Sequence, residues 1–173
     1  EAELRARLDG LADAEARLVA LRRFKNEEVL RVALNDIAGS LPLDAVGEEL
    51  SDLADLLVGE CLLLARRELV ERWGTPLGSG GQPAGMAVLA LGKLGGRELG
   101  YHSDLDLIFL YSEGGETTGG ARGRCSNAEF FARLAQRLLS NLSMQLREGY
   151  LYRTDVRLRP SGNQGTLVVT LRA

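Results

Sequence analysis

The 173-residue sequence has two cysteines and one histidine, and that scarcity excludes several kinds of chemistry at the outset. A lone histidine, His102, rules out a multi-histidine metal site. Cys61 and Cys125 lie far apart and match no metal-ligand spacing; with no secretory signal, a disulfide between them is not expected. Cys61 falls in an apolar helical run and is expected to be buried packing, whereas Cys125 falls in a polar loop. Long apolar runs are missing too. No stretch approaches the roughly 18–20 uninterrupted apolar residues of a membrane span. The first ten residues, EAELRARLDG, are charged rather than signal-like, so the chain is expected to be cytoplasmic. It begins without Met and stops after a strand-like segment, and it is expected to be a piece of something longer. An excess of positive charge is also absent. Formal net charge is −3, so no overall basic field gathers nucleic acid, and neither nucleic acid nor membrane is expected as a partner. Any phosphate binding must be local. Nearly all the basic residues are arginine, the cation suited to bidentate contact with phosphate or carboxylate.

What is present is the composition of a folded domain, 45% hydrophobic and 26% charged. The length suits one ordinary domain, or a catalytic core with a helical appendage. Residues 1–73 are expected to be a helical subdomain. Leu21, Phe24, Leu30, Leu34 and Ile37 recur at turn-like spacing, and Gly39 is placed to stop that helix. After a turn at Pro42, residues 50–73 predict a long helix with Leu53, Leu57, Cys61 and Leu64 inside and Arg66, Arg67 and Glu71 outside. Residues 74–85, GTPLGSGGQPAG, have linker composition. The remaining stretch, 86–173, changes periodicity. Met86–Leu91 is a short apolar run like a buried strand. In a second strand, Leu105, Leu107, Phe109 and Tyr111 alternate with Asp104, Asp106, Ile108 and Leu110. The glycine-rich loop 112–125 is expected to be mobile. Ser126 and Glu129 have the spacing of a capping box opening a helix, with Phe131, Leu134, Leu138, Leu142 and Leu146 as its stripe and Gly149 at its end. Strands at about 150–157 and 166–170 follow. The expectation is an α+β fold: a small mixed sheet with helices on one face, preceded by the helical subdomain. Short spacings that do not repeat as βαβ units argue against a doubly wound sheet.

Three segments carry chemistry. Carboxylates at i and i+2 of a strand project from one face, so Asp104 and Asp106 stand together. Held close, they repel, and a divalent cation such as Mg²⁺ or Mn²⁺ removes that cost. Taken alone, Asp-x-Asp is equally a solvated strand end. Gly92, Gly95 and Gly96 follow the first strand, where backbone N–H groups without Cβ atoms in the way could approach a phosphate and Lys93 could add a point charge. A tight turn with no ligand is the other reading, and neither a P-loop nor a dinucleotide fingerprint is present. Asp155, Arg157 and Arg159 alternate with Val156 and Leu158, which puts a carboxylate and two guanidiniums on one strand face. That is a metal ligand beside phosphate-binding arginines, or an Asp–Arg surface ladder.

Together, GKLGGRELGYHSDLDLIFLY (92–111) and YRTDVRLRPSGNQGTLV (152–168) resemble the nucleotidyltransferase superfamily that includes DNA polymerase beta. They resemble the glutamine synthetase adenylyltransferase family more closely still, and LRRFKNEEVLRVALNDIAGSLP (21–42) is similar to the segment before its catalytic core. This resemblance implies a Mg²⁺-dependent transfer of AMP from ATP to a tyrosine of glutamine synthetase, with the PII signal protein as a further partner. It implies that Asp104 and Asp106 bind two ions, that Asp155 binds the one nearer the nucleophile, and that Gly92, Lys93, Gly95, Gly96 and Ser103 bind the triphosphate. Arg157 and Arg159 steady phosphates or brace Asp155. Family members have two paralogous halves, one adding AMP and one removing it by phosphorolysis; DIAGSLP (36–42) and RLRPSG (157–162) look more like the adding half. A uridylyltransferase of the same superfamily and a non-catalytic binding fragment are the competing readings. His102 is read as incidental. Lys25, Arg31 and Asp36 are open between support of the site and a partner surface.

Overall fold

The computed structural model describes residues 1–158 and 165–171. Three helices come first: α1 (Ala2–Leu8), α2 (Ala14–Ile37) and α3 (Leu43–Trp73). Asp13 caps α2 by accepting from the Ala16 N–H at 2.9 Å. Gly39 ends it as expected: with φ +67°, it lets the Ser40 N–H reach back to the Asn35 carbonyl at 2.9 Å. α3 begins at Leu43, directly after Pro42, rather than at residue 50. The stripe of α2 also differs from expectation. Leu18, Leu21, Phe24 and Val32 are buried, whereas Leu30 and Leu34 are each 58% exposed and Ile37 84%. Two apolar rows share the helix, and only one faces α3.

After α3, β1 (Pro76–Leu77) lies within the Gly/Pro segment expected as a linker and pairs antiparallel with β4 (Glu116–Thr117). The approach is tight: a Cβ at Gly74, where φ is +82°, would lie 2.4 Å from the Gly119 carbonyl oxygen. The loop expected to be mobile is pinned instead. Ala121 and Arg122 donate their N–H groups to the Glu71 and Arg72 carbonyls of the last turn of α3, which would otherwise lack partners. Cys125, in this loop, is buried because the loop packs down; Cys61 is buried as expected, and both thiols are free. Burial pushes the Cys61 thiol up to about 12.

The second sheet holds the rest: β2 (Met86–Leu91), β3 (Leu105–Tyr111), β5 (Thr154–Asp155) and β6 (Val168–Thr170). β2 runs antiparallel to β3, while β5 and β6 both run parallel to it. The sheet is therefore mixed and small, and the fold is α+β. Leu105, Leu107 and Phe109 face inward and are almost fully buried. They meet α5 (Asn127–Ser143), whose Phe130, Phe131, Leu134, Leu138 and Leu142 are all buried. Each such side chain contributes about 1.5–3 kcal/mol on burial. α5 begins with half a capping box: the Glu129 N–H donates to Ser126 Oγ at 3.2 Å, but the Glu129 carboxylate pairs with Arg133 instead. It stops at Ser143, short of Gly149, so Leu146 lies beyond the helix. No helix among the described residues is long and apolar enough to cross a membrane.

One continuous apolar core joins the helical half to the sheet. A buried arginine ties the same two parts by hydrogen bonds. Arg22, fully enclosed in α2, donates to four carbonyls: Leu18 at 2.9 Å, Asn141 at 3.1 Å, Met144 at 2.7 Å and Gly149 at 2.9 Å. Asn141 and Met144 belong to the C-terminal end of α5, where the helix dipole is negative, so the guanidinium needs no carboxylate. Burial still holds the guanidinium below its ordinary pKa.

Candidate active site

The site forms where β2 ends, β3 begins and β5 lies alongside. β3 starts at Leu105, so Asp104 is the exposed residue just before it, and Asp106 is half-buried on the face opposite Leu105 and Leu107. In the sheet register Asp106 stands opposite Asp155 on one side and Leu91 on the other. Parallel neighbours lie about 4.8 Å apart and carry facing residues on the same side. Asp104 is two residues from Asp106 in sequence but lies just outside the strand, whereas the register sets Asp155 beside Asp106.

Gly92 comes immediately after Leu91, with φ +54°. A Cβ built there would lie 2.2 Å from Asp106 Oδ2, so the carboxylate lies against the glycine backbone. Gly95 is equally confined, 2.6 Å from the Ala90 carbonyl oxygen by the same construction. Between them, α4 (Gly92–Gly95) is a single turn without a side-chain cap, and Lys93 on it is exposed. Gly96 is different: its φ is −81° and only the Glu98 side chain is near. Gly92→Ala is therefore expected to cost about 1–2 kcal/mol of stability from the left-handed backbone alone, whereas Gly96→Ala is near neutral for stability. Thermal melts of both variants check this.

β5 is only two residues long, so Arg157 does not share a strand face with Asp155 as expected. The chain turns after Asp155, and Arg157 folds back onto it. Its backbone N–H donates to Asp155 Oδ1 at 2.8 Å and its Nε to Oδ2 at 2.8 Å. These bonds, the side-chain ones foremost, hold the Asp155 carboxyl below the usual carboxylate range. The linked stability is present above the ordinary carboxylate pKa and is lost as pH falls through the lowered value. Arg157 is thus a brace for Asp155, and its guanidinium also feels the charge of Asp106. Arg159 lies outside the described residues.

Ser103 Oγ accepts from the Gly100 N–H at 3.0 Å, which fixes the turn before Asp104. The helical half holds the same loop. Tyr101 donates its hydroxyl to Asp36 Oδ2 at 2.8 Å, the Leu99 N–H donates to Ser51 Oγ at 3.3 Å, and Arg97 pairs with Asp52. Asp36 therefore supports the site, and Arg31 does not: it pairs with Glu28 and Glu49 on the surface. Lys25 and Asp104 line one small cleft. Sequence reasoning missed Arg22, Tyr101 and the tyrosines beside Lys25. The one available signal was that Arg22 and Lys25, three residues apart on a helix, share a face.

Among the described residues, no three His, Cys, Asp or Glu side chains form a ready-made metal cluster. The donor set is instead carboxylate pairs: Asp104 with Asp106 by sequence and Asp106 with Asp155 by register. All are hard oxygen donors. Mg²⁺ keeps several waters and is commonly held by one or two carboxylates plus substrate phosphates, so the residues present fit it.

The family model for glutamate-ammonia ligase adenylyltransferase matches residues 1–173. The chain belongs to this family. It is 43% identical to the bifunctional glutamine synthetase adenylyltransferase/adenylyl-removing enzyme of Burkholderia pseudomallei (strain K96243), an alignment covering 98% of the chain and 19% of that protein. It is 45% identical to the enzyme of the same description from Haemophilus ducreyi, over 93% of the chain and 17% of the relative. The figure is again 45% for Nitrosococcus oceani, over 90% and 16%. The chain thus spans less than a fifth of the length of these relatives.

Proposed function

We propose that this chain is the nucleotide-transferring core of a Mg²⁺-dependent enzyme that moves AMP from ATP onto a tyrosine of glutamine synthetase. The observation that supports it most is the Asp106–Asp155 register with Gly92 cleared against the Asp106 carboxylate.

In this reading Asp104 and Asp106 would hold Mg²⁺, or Mn²⁺ in its place, and Asp155, braced by Arg157, would complete the set. The ion supplies charge to the phosphates and lowers the pKa of the acceptor hydroxyl. The acceptor oxygen forms a bond to the α-phosphorus, the bond to pyrophosphate breaks, and the tyrosine proton leaves to solvent. The protein's own share is positioning. Gly92, Gly95, Gly96 and Lys93 approach the triphosphate from the β2–α4 turn, Ser103 holds the turn before Asp104, and Arg157 screens the two strand carboxylates from each other. The relatives are named for both addition and removal of AMP, and DIAGSLP (36–42) favours addition here. The PII signal protein is proposed as a regulatory partner, and the cytoplasm as location, on the same resemblance.

The test uses ATP labelled in the α-phosphate, Mg²⁺ and glutamine synthetase. Label appearing on a tyrosine, and disappearing with EDTA, is the expected result. Phosphate-dependent release of ADP from adenylylated glutamine synthetase, with no transfer, would reassign the chain to removal.

A further inference from the structure

The helical half sends one charged group to the edge of the site. Lys25 lies on α2 three residues beyond the enclosed Arg22, which fixes that stretch of helix to the end of α5 and to Gly149. Its ammonium sits 4.7 Å from the centroid of the Tyr152 ring and 5.6 Å from that of Tyr150. It lines a cleft of about 40 Å³ together with His102, Ser103, Asp104 and Arg153.

Lys25 makes no ion pair among the described residues, and the one charge it feels strongly is the like charge of Arg22. A half-buried ammonium without a counter-ion is unfavourable, and the two aromatic faces offset only part of that. Asp104 shares the cleft but does not close onto it. The space left is small. The cleft is open to solvent and has room at its floor for a water-sized group. A single anionic oxygen fits both its volume and its charge.

We propose that Lys25 is a further substrate-binding residue whose ammonium takes a non-bridging oxygen of the polyphosphate chain of ATP. This rests on the nucleotide reading of Asp104, Asp106 and Asp155. It assigns the helical half a direct contact with substrate, opposite the one made by Lys93 from the β2–α4 turn.

The sequence allows a clean test, because Lys25 and Lys93 are its only two lysines. Acetylation of the wild-type chain, followed peptide by peptide by mass spectrometry, reports each amine separately. MgATP is expected to slow labelling of Lys25 at least tenfold, and adenosine to leave it unchanged. In calorimetry, Lys25→Met weakens MgATP binding at least tenfold but leaves adenosine binding alone, and Lys25→Arg recovers most of the loss. Labelling of Lys25 that is indifferent to MgATP overturns the proposal, as does an equal loss of ATP and adenosine binding in Lys25→Met. Protection by inorganic phosphate to which MgATP adds nothing also overturns it. Because labelling uses the wild-type chain, it decides the matter even if Lys25→Met does not fold. A wild-type chain that binds no MgATP at all brings down the nucleotide reading itself, whereas MgATP binding with Lys25 unprotected removes only this assignment.

Discussion

Asp106→Asn is expected to lower AMP transfer by about a thousandfold, or about 4 kcal/mol of transition-state stabilisation. Thermal stability is expected to stay within about 1 kcal/mol of wild type. Asparagine keeps the shape of aspartate, so the contact with Gly92 and the packing of β3 are preserved. What it removes is the negative charge, and the position gives that charge two neighbours at once: Asp104 two residues back and Asp155 across the parallel pair. No other residue of the set is common to both pairs. Asp104→Asn is expected to have the smaller effect, because Asp104 is exposed and precedes the strand. Initial rates with labelled ATP, resolved into kcat and KM, check the order. Equal activity in Asp106→Asn and wild type would remove these carboxylates from the chemistry.

Arg22→Met is expected to destabilise the chain by about 3–5 kcal/mol. The long apolar stem is retained, so little packing is lost, but four carbonyls lose a charged donor. The Gly149 carbonyl keeps the Leu146 N–H as a donor, but any buried acceptor left without a partner carries the full cost of its desolvation. For a chain of this size that corresponds to a melting point roughly 6–20 °C lower. Arg22→Lys is expected to recover only part, since an ammonium has three donors on one atom and cannot span carbonyls from Leu18 to Gly149. Chemical denaturation of the three proteins measures it. A loss below 1 kcal/mol in Arg22→Met would mean that water or relaxation satisfies those carbonyls.

Much of the fold was legible because its periods differ. The two-residue alternation of Leu105, Leu107 and Phe109 against Asp104 and Asp106 placed both the strand and its acid face. The apolar row of α5 placed that helix. The errors have a common cause in contacts between distant segments. Leu30, Leu34 and Ile37 have the same spacing as the buried row of α2, and spacing does not say which row α3 covers. Glycine content predicted motion for residues 112–125, yet the amides of Ala121 and Arg122 found the last carbonyls of α3 some fifty residues away. Asp155 was singled out by residue type, but its partner across the sheet and the short reach of β5 belong to the pairing alone. Lys25 was noticed without a role, because nothing local to it indicates that the middle of α2 lines a cleft with Asp104.

α2 is also a single rigid piece. Its 24 residues make a rod of about 36 Å. Midway along, Arg22 grips the turn at Gly149 that leads into Asp155; near its end, Asp36 grips Tyr101 in the loop that leads into Asp104. Both halves of the carboxylate set therefore hang from one lever. Leu30, Leu34 and Ile37 lie bare on its far end. One helix therefore carries a hydrogen bond to each of the two segments that lead into the carboxylate set, while its last turns keep an apolar row uncovered.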